Sequence, residues 1–390
     1  MVSPAVTQAP GRSLPVIVER AFRPMIYWYV SLRCNLACKH CWVNSSPSVD
    51  TTGELNSREM LLAVDRMAEF GAANVLITGG EPLLRPDIGL ILAKLTEYRL
   101  PTHIETNAML VTDDIVQLAD QASQIGSVLD FAVSLDGGTA EAHDWCRGRG
   151  GFVGTVAGLR RLSEAGLTFD IQCVVTRRNW ATLPQLAALA SELGARNLNF
   201  VLASPVGRAN HFVQQLSVPY DQTRFAVDKI FEAIREYPGR VAVKIPPAMI
   251  PPTYIERFRG LDSGSCVSNV VSCSFPLLGI LPDGSVTVCA ATRKSPEAFF
   301  GNIRSQSLVD IWRNRRLDEL REQYVAAQEL TGICGDCVFK SSCRGACRAH
   351  AFAESGSFNA PYPVCAELER VGRFPALYRS STLRALGVNR

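Results

Sequence analysis

Short apolar runs alternate with amphipathic stretches from residue 25 to about residue 205. The runs at 25–31, 74–78, 102–106, 128–134, 169–176 and 197–203 are β-rich and read as strands. Between them, apolar positions fall at helical spacing over 57–70, 87–98, 113–125, 152–165 and 183–193. Asn56-Ser57 offers a cap for the first of these helices, and Leu61, Leu62, Val64, Met67 and Phe70 form its apolar stripe. Six strands alternating with helices predict parallel βα units. Strands that are apolar on both faces fit a barrel or part of one. The expected fold class is α/β, a partial (β/α)6 TIM-type barrel.

The alternation fades near Ala203. An amphipathic helix is expected at about 221–237, and Pro246, Pro247, Pro251 and Pro252 then interrupt regular structure. Beyond residue 263 the chain turns to cysteines, glycines and short elements. Runs at 277–281 and 285–288 flank Pro282-Asp283-Gly284, which predicts a hairpin. Residues 308–323 read as helix, and 334–347 as a metal-organised loop. The expected division is a flexible segment at 1–24, the barrel at 25–205, a bridge at 206–262, a small cysteine-rich cluster-binding domain at 263–370 and a tail at 371–390.

Composition narrows the chemistry. With 390 residues, 47% of them hydrophobic, the chain has ample material for a core, so its 13 cysteines are not needed as staples. An odd number also excludes complete pairing within the chain. The start lacks the basic-then-apolar plan of a secretory signal, and no run of about 20 apolar residues predicts a membrane span. Forty basic against 37 acidic residues give no push towards nucleic acid or anionic membrane. The expected home is the cytoplasm, where clustered thiols serve as metal ligands or redox groups.

Cys34-x3-Cys38-x2-Cys41 follows directly on the first strand. Parallel βα folds gather ligands at the carboxyl ends of their strands. Three thiolates on one loop there can hold three corners of an iron–sulfur cubane and leave the fourth iron open. Zinc is the other reading, although a closed structural zinc usually takes four protein ligands and only His40 is locally available. The segment Arg33-Cys34-Asn35-Leu36-Ala37-Cys38-Lys39-His40-Cys41 resembles the cluster loop of radical S-adenosylmethionine (radical SAM) enzymes. His40 fits the family's usual aromatic or His before the third cysteine. Trp42 stands where the family often has Tyr.

Later strand ends extend the resemblance through about 25–205. Thr78-Gly79-Gly80-Glu81-Pro82 resembles the family's GGE segment, Glu105-Thr106-Asn107 closes the third strand, and Ser134-Leu135-Asp136-Gly137 closes the fourth. The resemblance implies that Gly79, Gly80, Glu81, Asn107, Ser134 and Asp136 contact S-adenosylmethionine. The later cysteines, with Cys273-x10-Gly284-x4-Cys289, Cys334-x2-Cys337-x5-Cys343-x3-Cys347 and then Cys365, resemble the SPASM extension of a subset of these enzymes. By that family's interleaved pattern, Cys266, Cys273, Cys289 and Cys347 would hold one auxiliary cluster. Cys334, Cys337, Cys343 and Cys365 would hold a second. The implied cofactors are three [4Fe–4S] clusters and S-adenosylmethionine.

Auxiliary clusters would let a substrate radical lose an electron, which opens oxidations and cross-links. The resemblance implies a precursor peptide as substrate, with a small molecule such as a tetrapyrrole as the alternative, and a flavodoxin or ferredoxin as reductant. A non-catalytic iron–sulfur or zinc protein is the reading from another class. Sulfatase-maturing relatives usually carry Asp after the cysteine matched by Cys289, where this chain has Ala290. About 25 residues precede the first strand, so a separate peptide-recognition protein is a further expected partner. Cys173 is expected in the core, and 143–147 in a loop after the fourth strand.

Overall fold

The structure is a computed structural model that describes residues 24–244, 277–326 and 329–386. Its centre is a run of parallel strands in sequence order: β1 (Met25–Ser31), β2 (Asn74–Gly79), β3 (Thr102–Thr106), β4 (Leu129–Ser134), β5 (Phe169–Val175), β6 (Asn197–Leu202) and β7 (Arg240–Lys244). Helices α1 (Ser57–Phe70), α2 (Ile88–Glu97), α3 (Asp113–Gln124), α4 (Ala140–Arg147), α5 (Gly151–Glu164) and α6 (Leu183–Glu192) fill the connections, and α7 (Tyr220–Glu236) leads into β7. This is a mixed α/β partial barrel. Strand β7 lies in the stretch expected to bridge, where the nearby prolines concealed a five-residue run.

Alternation along the strands sets the two faces. Ile26, Trp28 and Val30 of β1, Val75 and Ile77 of β2, Phe131 and Val133 of β4, and Ile171, Cys173 and Val175 of β5 all enter the main core with the helices. The opposite face is only half-buried and carries Tyr27, Glu105, Ser134, Gln172 and Asn199. The concave face, the chamber wall, is therefore mixed, with Leu76, Ala132, Val174 and Val201 among these polar groups. Helix α1 begins with a capping box, in which Asn56 accepts from the Glu59 backbone and Glu59 accepts from the Asn56 backbone. It ends at Gly71 in the left-handed conformation.

Two local expectations change. Residues 143–147 belong to α4, whose Thr139 side chain caps the Ala142 N–H, rather than to a loop. The helix expected at 308–323 divides into Leu308–Trp312 and Arg315–Ala326. Asn314 interrupts it by donating to the Phe300 carbonyl (3.0 Å) and accepting from the Arg316 N–H (2.9 Å).

The C-terminal cysteine-rich part continues the same sheet. Strand β8 (Leu277–Ile280) pairs in parallel with β1, Met25 opposite Leu277 and Trp28 opposite Ile280. It then turns into antiparallel β9 (Ser285–Thr287), as the Pro-Asp-Gly turn predicts, and β10 (Gly301–Asn302) adds a short edge. The strand order is β10-β9-β8-β1-β2-β3-β4-β5-β6-β7. Strand β1 thus has the barrel on one side and the cysteine-rich part on the other.

Candidate metal and cofactor centre

The loop carrying Cys34, Cys38 and Cys41 leaves the carboxyl end of β1 and is held by backbone groups of its neighbours. The Cys34 N–H donates to the Ser46 carbonyl (3.2 Å), and the Lys39 N–H to the Cys146 carbonyl at the end of α4 (2.8 Å). Strand β2 braces its base: the Gly80 N–H donates to the Ser31 carbonyl (2.7 Å) and the Glu81 N–H to the Arg33 carbonyl (2.8 Å). A Cβ on Gly79 would stand 2.2 Å from the Ser31 oxygen, and one on Gly80 2.0 Å from the Arg33 oxygen. The glycines allow two backbone segments to meet where any side chain would drive them apart.

Glu81 and Asn107 tie the next strand ends to this loop. Buried Glu81 accepts from Thr106 Oγ1 (2.6 Å) and from the N–H groups of Asn107 (2.9 Å) and Leu83 (3.2 Å). Burial raises its carboxyl above the usual range, against the pull of those donors. Asn107 in turn donates through Nδ2 to Asn35 Oδ1 inside the cysteine loop (2.8 Å). Ser134 stands half-buried at the end of β4 on the chamber face.

Asp136 is fully buried and its oxygens are engaged by the protein. Arg147 reaches it in a fork, Nε to Oδ2 (2.6 Å) and a second nitrogen to Oδ1 (3.2 Å); His40 Nε2 lies 2.7 Å from Oδ2, and the Val174 N–H donates to Oδ1 (2.9 Å). Burial works against this carboxylate, yet the charges of Arg147 and His40 hold its pKa well below the usual range. One carboxylate therefore joins the cysteine loop, β4, β5 and the last turn of α4. Asp144 in the same helix caps the N–H groups of Gly150 and Phe152, both at 2.7 Å.

Arg208, absent from the sequence expectations, closes the loop from the far side. It follows β6 and donates to the carbonyls of Cys38 (2.8 Å) and Ser45 (2.6 Å), while its own N–H donates to the Cys41 carbonyl (2.8 Å). No periodicity marks it, because its partners lie about 165 residues earlier in the chain.

The loop has two unlike sides. Cys41 and Trp42 pack with Tyr27, Tyr29, Leu281, Ala290 and Phe299 in an apolar cluster on the chamber face of β1. There Tyr27 hydrogen-bonds Glu105 across the sheet, and the Tyr29 hydroxyl lies 3.6 Å from Cys289 Sγ. Trp42 meets Tyr29 edge-on at 6.3 Å and His350 at 5.8 Å, and His350 stacks on Tyr362 at 6.3 Å. On the other side, Cys38, Lys39 and His40 face α4.

Cys334, Cys337, Cys343 and Cys365 line one pocket together with Ile333, Tyr362 and Phe374. The Tyr362 N–H donates to Cys334 Sγ (3.3 Å), and buried Arg348 braces the wall through the carbonyls of Phe358 (2.9 Å), Ala360 (2.6 Å) and Gly345. Cys289 and Cys347 are both buried. Each immediately precedes a short helical element, Ala290–Thr292 and Arg348–Ser355, and these two elements pack together. Cys266 and Cys273 lie outside the described residues.

The chemistry of these donor sets fits iron–sulfur clusters better than zinc. A tetrahedral zinc with bonds near 2.3 Å would draw its sulfurs to about 3.8 Å from one another. Among the described residues no three cysteine sulfurs come within 4.8 Å of each other; the group that does is His40, Asp136 and Cys146, whose carboxylate Arg147 already engages. A cubane spreads its irons over separate corners and takes a wider set. Burial pushes the Cys34 thiol up to about 12, Cys343 to about 12 and Cys337 to about 11. Such thiols become thiolates when a cationic centre binds them.

Comparison with known proteins agrees in both parts. Residues 28–190 match the radical SAM superfamily, and residues 273–338 match the SPASM iron–sulfur cluster-binding domain. An AdoMet-dependent heme synthase from Methanosarcina barkeri is 31% identical, over 87% of this chain and 95% of that protein. The mycofactocin maturase MftC of Mycobacterium tuberculosis is 30% identical, over 91% of this chain and 87% of its own. In fold, the chain is similar to Streptococcus suis SuiB bound to S-adenosylmethionine, with a TM-score of 0.67 and 18% identity, over 87% of this chain and 76% of that one. Native anSMEcpe with bound AdoMet gives 0.64 and 17%, over 90% and 96%. The chain belongs to the radical SAM enzymes that carry a SPASM domain.

Proposed function

We propose that this enzyme matures a ribosomally made precursor peptide by abstracting hydrogen from a carbon and completing a net oxidation or cross-link. The observation that carries the reading is the shared apolar cluster joining Cys41 to Tyr27, Tyr29 and Ala290, with Tyr29 against Cys289. A substrate held against Tyr27 and Glu105 would border both the loop and the Cys289 site. Cys34, Cys38 and Cys41 would hold an open-cornered [4Fe–4S] cluster, which would supply the electron for reductive cleavage of S-adenosylmethionine, and the later cysteines would hold auxiliary clusters able to take up an electron from the substrate.

The chain's own groups take the remaining tasks in this reading. The Gly79-Gly80 backbone and the Ser134 hydroxyl would meet the cofactor's polar groups. Glu81, Asn107 and Asp136 are fixed by the bonds described above and would present their remaining acceptor positions to the cofactor. Cys289 and Cys347 with Cys266 and Cys273, and the four cysteines that line the pocket, would serve the auxiliary clusters. The partners are a flavodoxin or ferredoxin reductant and a separate peptide-recognition protein, in the cytoplasm. No described helix is long and apolar enough to cross a membrane.

The 31% identity to a heme synthase supports a second reading, in which a tetrapyrrole side chain is the substrate. The test is anaerobic reconstitution followed by incubation with S-adenosylmethionine and dithionite. The expected result is about twelve irons per chain and 5′-deoxyadenosine. Parallel incubations with a peptide encoded beside the gene and with an iron porphyrin, read by mass spectrometry, distinguish the substrates. A mass change in the porphyrin alone overturns the peptide reading, and zinc with negligible iron and sulfide overturns the whole.

A further inference from the structure

The side of the cysteine loop turned away from the chamber is charged. Lys39, bonded to Cys38, lays its ammonium 4.5 Å from the Trp145 ring centroid and donates to the Trp145 carbonyl. The Arg178 guanidinium, from the segment after β5, reaches the same ring at 5.4 Å. Arg149, two residues beyond the buried Arg147, is exposed, as are Arg177 and Arg178. Among the described residues, none of Lys39, Arg149, Arg177 and Arg178 has a carboxylate partner; Arg177 reaches only the Gln214 carbonyl. Asp144, the acid nearest to them on α4, is spent on the Gly150 and Phe152 N–H groups.

Trp145 belongs to an apolar cluster with Cys146, Ala209, Phe212 and Leu216, separate from the cluster of Tyr27 and Tyr29 on the chamber face. The cationic surface therefore adjoins the Cys38 end of the loop, and the substrate chamber adjoins the Cys41 end. Unpaired cations around a half-buried indole, one residue from a cluster thiol, are suited to steering an acidic protein to that place. A small anionic substrate would need its charges met inside the chamber instead.

We propose that Arg178, Arg149, Lys39 and Trp145 form the docking surface for an acidic one-electron carrier protein, which reduces the loop's cluster from the side opposite the substrate. This rests on the reading that Cys34, Cys38 and Cys41 hold a [4Fe–4S] cluster. In the step, one electron leaves the carrier and enters the oxidised cluster; no bond forms or breaks. Entry at Cys38 leaves the chamber free for substrate while reduction occurs.

The test uses the full-length, anaerobically reconstituted protein and follows bleaching of the cluster absorbance in stopped flow. The probe is flavodoxin hydroquinone, and methyl viologen radical, a small cation, is the control. The Arg178→Glu/Arg149→Glu double variant is expected to lower the flavodoxin rate by about tenfold or more at low ionic strength. That deficit shrinks as salt shortens the screening length towards about 8 Å. Arg178→Lys retains the rate, and methyl viologen reduces every variant at least as fast as wild type. A flavodoxin rate within twofold of wild type, or one indifferent to salt, overturns the proposal. So does an equal loss with methyl viologen, which would place the effect on the cluster, or a change confined to substrate KM. A protein that binds no cluster at Cys34, Cys38 and Cys41 fails earlier, at the functional reading itself.

Discussion

Replacing Arg208 with Ala tests what holds the cysteine loop in place. Two charged hydrogen bonds disappear, to the carbonyls of Cys38 and Ser45, while the backbone bond to Cys41 survives. A hydrogen bond involving a charged group contributes about 1.5–3 kcal/mol. The side chain is half-buried, so the lower end applies, and the pair amounts to about 3 kcal/mol. At 1.4 kcal/mol per factor of ten, the loop would open about a hundred times more often. Iron release to a chelator under anaerobic conditions should accelerate by about ten- to a hundredfold in the phase belonging to this loop. That phase is identified by its absence from a Cys34→Ala/Cys38→Ala/Cys41→Ala protein. Arg208→Lys should fall between, since one ammonium cannot span both carbonyls as a fork does. Release from Arg208→Ala within twofold of wild type would refute the argument that this residue clamps the loop.

The triple cysteine variant itself should form no 5′-deoxyadenosine yet keep the iron bound by the eight cysteines assigned to the auxiliary clusters, which metal analysis and chromatography check together. Gly80→Ala places a methyl group 2.0 Å from the Arg33 oxygen, so at least one backbone segment must shift; a loss of about 2–4 kcal/mol in denaturant unfolding is expected, against little change at Gly89, a helical position where the new methyl would meet only Leu118 at 3.9 Å. Asp136 has a lowered pKa, so its contribution is present above the unfolded value near 4 and is lost as pH falls below it. The stability gap between wild type and Asp136→Asn should therefore be constant from about pH 6 to pH 5, where His40 is protonated, and narrow from about pH 4 downwards; a gap that widens below about pH 5 would contradict the linkage.

Much of the barrel was legible because its code is local. Periodicity sufficed for β1 to β6 and for most of the intervening helices, and the cysteine spacing located the loop. Helix α4 was missed because its apolar stripe is thin: Ala142 and Cys146 are buried, but so are His143 and Arg147, which periodicity counts as solvent-facing. Burial of those two follows from their tertiary partners, Asp136 for Arg147 and the Asp136 N–H for His143. Strand β7 is five residues long beside a proline-rich stretch. Arg208 and the Trp42–His350 contact join residues far apart in sequence, and no local pattern encodes such pairs. The hairpin of β8 and β9 was readable from its turn, whereas the parallel pairing of β8 with β1 was not.

That pairing also has a consequence for how the chain is made. Strand β1 leaves the ribosome first among the described strands, yet one of its two edges finds its partner only when β8 appears some 250 residues later. At synthesis rates of about 5–20 residues per second the wait is roughly 13 to 50 s. Throughout that interval a strand with the sequence Met25–Ser31 offers an open, largely apolar edge next to three unmetallated thiols. Nascent chains truncated before β8 should therefore associate with one another or with chaperones, and those extended past β10 should not. Closing this edge makes the cysteine-rich part a condition of the barrel's own solubility during birth.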